Sequence, residues 1–276
     1  MVSLKEQVKQ IAPKPVIGVL KTFKNLAQIT VRNPYIMTNK FLSSSEFSLN
    51  IGGGNWFKRG WKNVDFYAKP IFIDFRVNLL QEQNLPIKDN SVRKVFCSHL
   101  IEHISDKNAS ILLSELYRIM KPGAILRICC PDADKALEAY LNNNMDFFNL
   151  QEVLTVGDGI GKRLVNYFAS YAITIEDDLG EPPVSEVEVK QKVKSLAKDE
   201  FIKWCVSSIP KEATYTAHIN GYYFEKLKQL LEKTGFVNIE KSSYRNSKDL
   251  ELRGKAFDNR PNHSLYVECY KQIEPT

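Results

Sequence analysis

The chain has 276 residues, 43% of them apolar and 25% charged, with five cysteines and a formal charge of +6. That is enough apolar material for a sizeable core, and no apolar run approaches the roughly 18 residues that cross a bilayer as a helix, so disordered, fibrous and helical membrane classes are excluded. The cysteines are odd in number and show no C-x-x-C spacing, which excludes a disulfide framework and fits a reducing, cytoplasmic setting.

Residues 1 to 45 carry seven Lys or Arg and one Glu, while residues 46 to 276 carry 31 basic and 31 acidic residues. The whole excess charge therefore sits on an N-terminal arm. Val16, Ile17, Val19, Leu20, Phe23 and Leu26 form one side of a short helix after Pro15. The arm reads first as a helix packed on the domain and second as a weak membrane-surface contact. Its basic residues are spread out rather than clustered on a motif, so no nucleic-acid partner is expected. The start also lacks the apolar core and cleavage site of a secretory signal.

From residue 46 the pattern changes to short apolar runs. Strands are expected near 47–51, 62–66, 71–77, 93–98 and 124–130, with a helix near 107–120 that Pro122 and Gly123 are placed to stop. Such alternation predicts an α/β fold, a parallel sheet covered on both faces. Residues 135 to 215 break this rhythm and read as an inserted helical cap, with Glu186 to Trp204 as one surface helix of mixed charge. A helix pattern returns at Tyr222 to Thr234 and stops at Gly235, followed by strands near 236–241 and 264–270. The layout is thus an arm (1–45), a cofactor-binding half (46–134), a cap (135–215) and a C-terminal part of the main domain (216–276).

The first strand is stopped by Gly52-Gly53-Gly54. Glycine lets a backbone pass close to a ligand, yet a plain tight turn uses the same residues. The G-x-G-x-x-G dinucleotide fingerprint is not met, because position 57 is Phe57, which argues against a nicotinamide-dependent oxidoreductase. Asp65 ends the second strand. A carboxylate there can accept hydrogen bonds from both hydroxyls of a ribose.

The ordered set Leu49 to Gly54, Gly60 to Asp65, Leu85 to Val92, Ser98 to His103, Arg118 to Ala124 and Pro131-Asp132 resembles the class I S-adenosylmethionine-dependent methyltransferases, most closely the small "type 11" group. The stretch Phe257 to Glu268 is similar to that group too. The resemblance covers roughly a third of the chain. It implies a Rossmann-like doubly wound sheet closed by a terminal antiparallel hairpin. It also implies S-adenosylmethionine as cofactor, with the methionine part against Gly52, Gly53 and Gly54 and the ribose on Asp65. Asn84 and Leu85 would flank the adenine, and Ser98 and His99 would face the sulfonium and the substrate. The chain departs from the pattern at Trp56, where the group has a third loop glycine, and at Asn78-Leu79, where an Asp-Leu pair is usual. Only eleven residues separate Gly54 from Asp65, so the first helix is short or missing.

His99, Glu102 and His103 form H-x-x-E-H. The string matches an inverted zinc-protease motif, but it follows a strand and no long catalytic helix is present. It also partly matches the E-x-x-E-H of some metal-using methyltransferases. Glu102 and His103 read instead as a hydrogen-bonded helix start, and no metal is assigned. For catalysis the candidates are His99 first and His218 second, each able to take a proton from an acceptor hydroxyl near neutral pH. His263 reads as structural. The expected function is methyl transfer to a small molecule, a sugar hydroxyl of a polysaccharide pathway being the leading acceptor that the resemblance implies. The alternative is a non-catalytic relative that binds or regulates.

Overall fold

The protein is described here by a computed structural model, which covers residues 47–81, 84–149, 159–170, 182–207, 217–258 and 260–273. The basic arm expected at 1–45 lies outside the described residues. Strands β1 (Phe47–Ile51), β2 (Trp61–Asp65), β3 (Phe75–Arg76), β4 (Val92–Ser98) and β5 (Met120–Pro131) alternate with a helix α1 (Asp106–Ile119). Helices α2 (Ala133–Leu141), α3 (Met145–Asn149), α4 (Ile160–Ala169), α5 (Glu186–Ser195) and α6 (Lys198–Ser207) follow. The described chain ends with α7 (Phe224–Thr234), β6 (Phe236–Ser242) and β7 (Ser264–Lys271). Among the described residues no helix is long and apolar enough to cross a membrane.

One seven-stranded sheet has the order β3-β2-β1-β4-β5-β7-β6. The first five strands are parallel, and β7 runs antiparallel to both β5 and β6. This is the expected α/β, Rossmann-like sheet with a terminal antiparallel hairpin. The order reverses between β1 and β4, and in such sheets ligands sit outside the carboxyl ends of the strands at that reversal.

Alternate residues of the strands face two different layers, as the period of two requires. Leu49, Ile51, Val95, Cys97, Leu126 and Ile128 pack under α1 and α7. Helix α1 buries Ala109, Leu112, Leu113, Leu116 and Ile119, an i, i+3, i+4, i+7 stripe, behind a Ser105 cap that accepts from Asn108 N. The opposite face carries Phe96, Ile125, Cys129 and Tyr266. It is covered mainly by the long β6–β7 connection, through Leu252 and Phe257, and by Trp56 and Trp61. Arg127 lies on this face, fully buried, and donates to Asp258 (2.9 and 2.5 Å) and to Glu268 (2.8 Å). The aspartate of the Phe257–Glu268 stretch therefore neutralises a buried guanidinium.

As the short Gly54-to-Asp65 spacing implied, no helix fills 52–60, and the connection from β1 to β2 is all loop. Three expectations need correction. The third strand shrinks to Phe75–Arg76, with a 3-10 turn at Pro70–Phe72 taking the start of the expected run. Helix α1 stops at Ile119, before Pro122 and Gly123, which fall where the β4–β5 register shifts. Its last carbonyls are taken by the loop before β4: Asn90 N donates to Arg118 O and Ser91 N to Ile119 O. The helix expected over Glu186 to Trp204 is two, broken between Ser195 and Lys198; its charged face is exposed as expected, while Val189, Phe201, Ile202 and Cys205 are buried. These residues join Ala136, Leu164 and Phe168 in a second apolar cluster, separate from the layer under α1 and α7.

Candidate active site

Two strand ends build the site. At the end of β1 the chain turns through Gly52 (φ 65°) and Gly54 (φ 57°), left-handed conformations that suit glycine. The Asp65 carboxylate, at the end of β2, accepts from Gly54 N at 2.8 Å through Oδ2, and from Tyr67 N (2.9 Å) and Ala68 N (2.8 Å) through Oδ1. Asn63 Nδ2 donates to Gly54 O at 2.9 Å and to Phe72 O at 3.0 Å, which ties the glycine turn to the strand beside it. Three backbone amides thus hold Asp65 in place. Oδ1 is filled by two donors, and Oδ2 keeps room for one more.

A pocket of about 130 Å³ opens beside this carboxylate, lined by Gly52, Asp65, Phe66, Tyr67, Val77, Leu79, Leu80, Leu100 and His103. Its wall is largely apolar, and Phe66 and Tyr67 are 38% and 56% exposed at its mouth. Exposed aromatics beside a hydrogen-bonding carboxylate suit a flat base attached to a ribose. Gly52 and Asp65, both expected at the donor, line this one pocket. Gly53 faces inward: a Cβ there would lie 2.2 Å from Asn50 Nδ2, so its glycine is required by packing. Gly54 has open space within 4 Å. Trp56 turns to the other face of the sheet, where its Nε1 donates to Ala256 O and its ring meets Trp61 and Phe257.

Asn84 and Leu85 do not line the pocket. Asn84 is exposed, and Leu85 is a core residue whose N–H donates to Glu115 and whose carbonyl accepts from Arg118. Val77, Leu79 and Leu80 take the place expected of them, from the Asn78-Leu79 stretch that the sequence reading counted as a departure. Ser98 ends β4 with a buried Oγ that has no hydrogen-bond partner.

The residue after Ser98 leaves the strand with a left-handed backbone: His99 has φ 51°. Histidine is among the residues that adopt this conformation more readily than most, and it turns the ring off the strand end. His99 N donates to Cys129 O, and the ring bridges Glu102 Oε1 (Nδ1, 3.1 Å) and Ser264 Oγ (Nε2, 3.0 Å). Both nitrogens of this first catalytic candidate are therefore engaged. Glu102 is 1% exposed, and its Oε2 has no hydrogen-bond partner among the described residues. Burial alone would raise its pKa, but the hydrogen bond from His99 and the neighbouring imidazoles hold it down, at about 2. Glu102 is thus an ion held by His99 rather than a group at the α1 dipole, since α1 has Ser105 as its own cap.

His218 comes from the segment before α7, and its Nδ1 lies 3.2 Å from Tyr167 O of α4. His103 Nδ1 lies 3.1 Å from Ala217 O. A carbonyl only accepts, so both Nδ1 atoms carry the proton and both Nε2 atoms keep a lone pair. The two rings meet edge to face at 4.9 Å. Burial first, and then His103, pushes the His218 imidazole down to about 3, so it is neutral at pH 7. His263 is structural, as expected, with Nε2 2.8 Å from Phe147 O. The sequence singled out His99 and His218 but had no signal for the nearness of His103 to His218, which are 115 residues apart.

Residues 61–128 match the family described as methyltransferase domain. No curated protein matches the chain. Among solved structures, a methyltransferase of Archaeoglobus fulgidus is similar at 14% identity and TM-score 0.41, over 89% of this chain and 92% of its own. One of Thermotoga maritima is similar at 15% and 0.39, over 91% and 97%. The phosphoethanolamine N-methyltransferase 2 of Haemonchus contortus is similar at 15% and 0.38, over 87% of this chain and 53% of its own, so the chain spans about half the length of that protein. The methyltransferase-domain match thus covers about a quarter of the chain, from β2 into β5.

Proposed function

We propose that this methyltransferase uses S-adenosylmethionine to methylate a small molecule, with a sugar hydroxyl of a polysaccharide pathway as the first acceptor class to test. The observation that carries the reading is the placement of Asp65 beside the glycine turn, in one pocket with Leu100 and His103 at the β1/β4 reversal. The residues fit the donor: Asp65 Oδ2 has a free acceptor position for a ribose hydroxyl, and Val77, Leu79 and Leu80 give an apolar wall for a base. The donor, when bound, supplies a methyl group on a good leaving group.

What the chain adds is placement, and placement supplies much of the rate of such a displacement. Leu100 and His103, on the side of the pocket that follows β4, orient the acceptor. A hydroxyl acceptor must lose a proton, and His103 on the pocket wall is the imidazole best placed to receive it, since both His99 nitrogens are engaged and burial holds His218 down to about 3. His99 and His218 are the sequence's candidates, and His103 adds the imidazole that borders the pocket. The buried Glu102 carboxylate stabilises positive charge that gathers there. Helices α2 to α6 act as the cap over the acceptor side, consistent with Tyr167 of α4 holding His218. Five buried free cysteines suit work in the cytoplasm.

The test is release of S-adenosylhomocysteine with panels of sugar, phenol and amine acceptors. Turnover with hydroxyl acceptors that falls in His99 and His218 variants supports the proposal. Donor binding with turnover on amines alone moves the acceptor class. A folded protein that neither binds donor nor turns over is the non-catalytic relative.

A further inference from the structure

We infer that Glu102, His103 and His218 form a binding site for one divalent transition-metal ion of the zinc class. One ligand-capable atom from each of the three lies within 4.8 Å of the others. The site is built rather than incidental. Glu102 is 1% exposed, and its Oε2 has no hydrogen-bond partner among the described residues, a costly state for a buried carboxylate oxygen. Its other oxygen is held by His99 Nδ1, and His99 is itself held by Ser264. Each ligand histidine has Nδ1 bound by a backbone carbonyl, Ala217 for His103 and Tyr167 for His218. That arrangement fixes the tautomer with the Nε2 lone pair free, as histidines that bind metals have it. Two imidazoles, each anchored through Nδ1, beside a buried carboxylate lack only a cation.

The donor set selects the ion. Two imidazole nitrogens and one carboxylate oxygen suit zinc, iron(II) and cobalt(II), whereas magnesium and calcium prefer oxygen alone. Tetrahedral metal–ligand bonds of about 2.0–2.2 Å put neighbouring ligands roughly 3.3–3.6 Å apart, so a pair at the 4.8 Å limit closes by about 1.2–1.5 Å around the ion. Three protein ligands leave a coordination position open, the pattern of catalytic rather than structural sites. His103 also lines the pocket beside Asp65, so the ion would lie next to that pocket. On the methyl-transfer reading, and only on it, the open position takes the acceptor oxygen and makes its proton easier to lose, with the two imidazoles as ligands rather than bases.

The test is titration of the chelator-treated full chain with cobalt(II), read by visible absorption, with zinc as competitor. The expected result is one ion per chain, a spectrum of nitrogen and oxygen ligands, displacement by zinc but not by magnesium, and at least tenfold weaker binding in Glu102→Gln, His103→Gln and His218→Gln. Circular dichroism checks that each variant is folded. No saturable binding by folded wild type, a thiolate charge-transfer band, or folded variants that bind as wild type does would overturn the site. S-adenosylhomocysteine calorimetry on the same metal-free sample separates the two readings. Donor binding without metal binding overturns the ion alone, and the reverse result keeps the ion and removes the methyl donor.

Discussion

Replacing Gly53 by alanine tests how the glycine turn is held. An ideal Cβ at Gly53 would lie 2.2 Å from Asn50 Nδ2, 2.3 Å from Asn63 Oδ1 and 2.9 Å from Asn50 Cγ. Ordinary carbon contacts are about 3.5–4.0 Å, so relief requires a shift of more than about 1 Å. Neither amide has room: both residues are 2% exposed, and Asn63 Nδ2 already donates to Gly54 O and Phe72 O. Overpacking of this kind costs about 1–3 kcal/mol. Losing one or both hydrogen bonds adds about 1 kcal/mol each. The sum is roughly 2–5 kcal/mol. Gly54 makes the control, because a Cβ there meets nothing within 4 Å and only its φ of 57° resists a side chain. That strain costs roughly 1–2 kcal/mol. Urea unfolding of wild type, Gly53→Ala and Gly54→Ala, with m checked for constancy, measures both. Gly53→Ala should be the less stable by about 1 kcal/mol or more. A Gly53→Ala protein as stable as wild type, or more stable than Gly54→Ala, refutes the reasoning.

Three more outcomes follow from the same structure. The pKa of His218 is lowered to about 3 in the fold, so between about pH 6.5 and 3 the unfolded chain binds the extra proton and stability falls as pH falls; urea midpoints at pH 7, 6 and 5 should drop in wild type and drop less in His218→Gln. Asp258→Ala leaves the buried Arg127 with only Glu268 as a charged partner and should cost about 3–5 kcal/mol by thermal unfolding, far more than removal of the exposed Glu240–Lys248 pair. All five cysteines are buried and free, and burial pushes their thiols up, so a thiol reagent should react slowly with native protein and titrate five groups in denaturant.

The sequence displayed the sheet well, because β1, β4 and β5 are short apolar runs bounded by turns, and Asp65 ends β2 as expected. It displayed the cap poorly. Glu186 to Trp204 looks solvated by its charges, yet Val189, Phe201, Ile202 and Cys205 are buried against α4, and only the fold supplies that partner. Leu85 carried a motif but spends its backbone groups on Glu115 and Arg118. The pocket wall came from Val77, Leu79 and Leu80 instead. The histidines show the limit most clearly. The H-x-x-E-H string is local and visible, but the partner of His103 arrives from residue 218, and the partner of Arg127 from residue 258. Contacts between distant segments leave no spacing to read.

The central claim is that the pocket beside Asp65 holds a methyl donor, and calorimetry with S-adenosylhomocysteine on wild type and Asp65→Ala tests it most directly. Hydrogen bonds to a charged group contribute about 1.5–3 kcal/mol each, which is roughly tenfold or more in affinity. The account predicts one site in wild type and at least tenfold weaker binding in Asp65→Ala, with the variant shown to be folded by urea denaturation. A folded wild type that binds no donor, or an Asp65→Ala protein that binds as tightly as wild type, contradicts it.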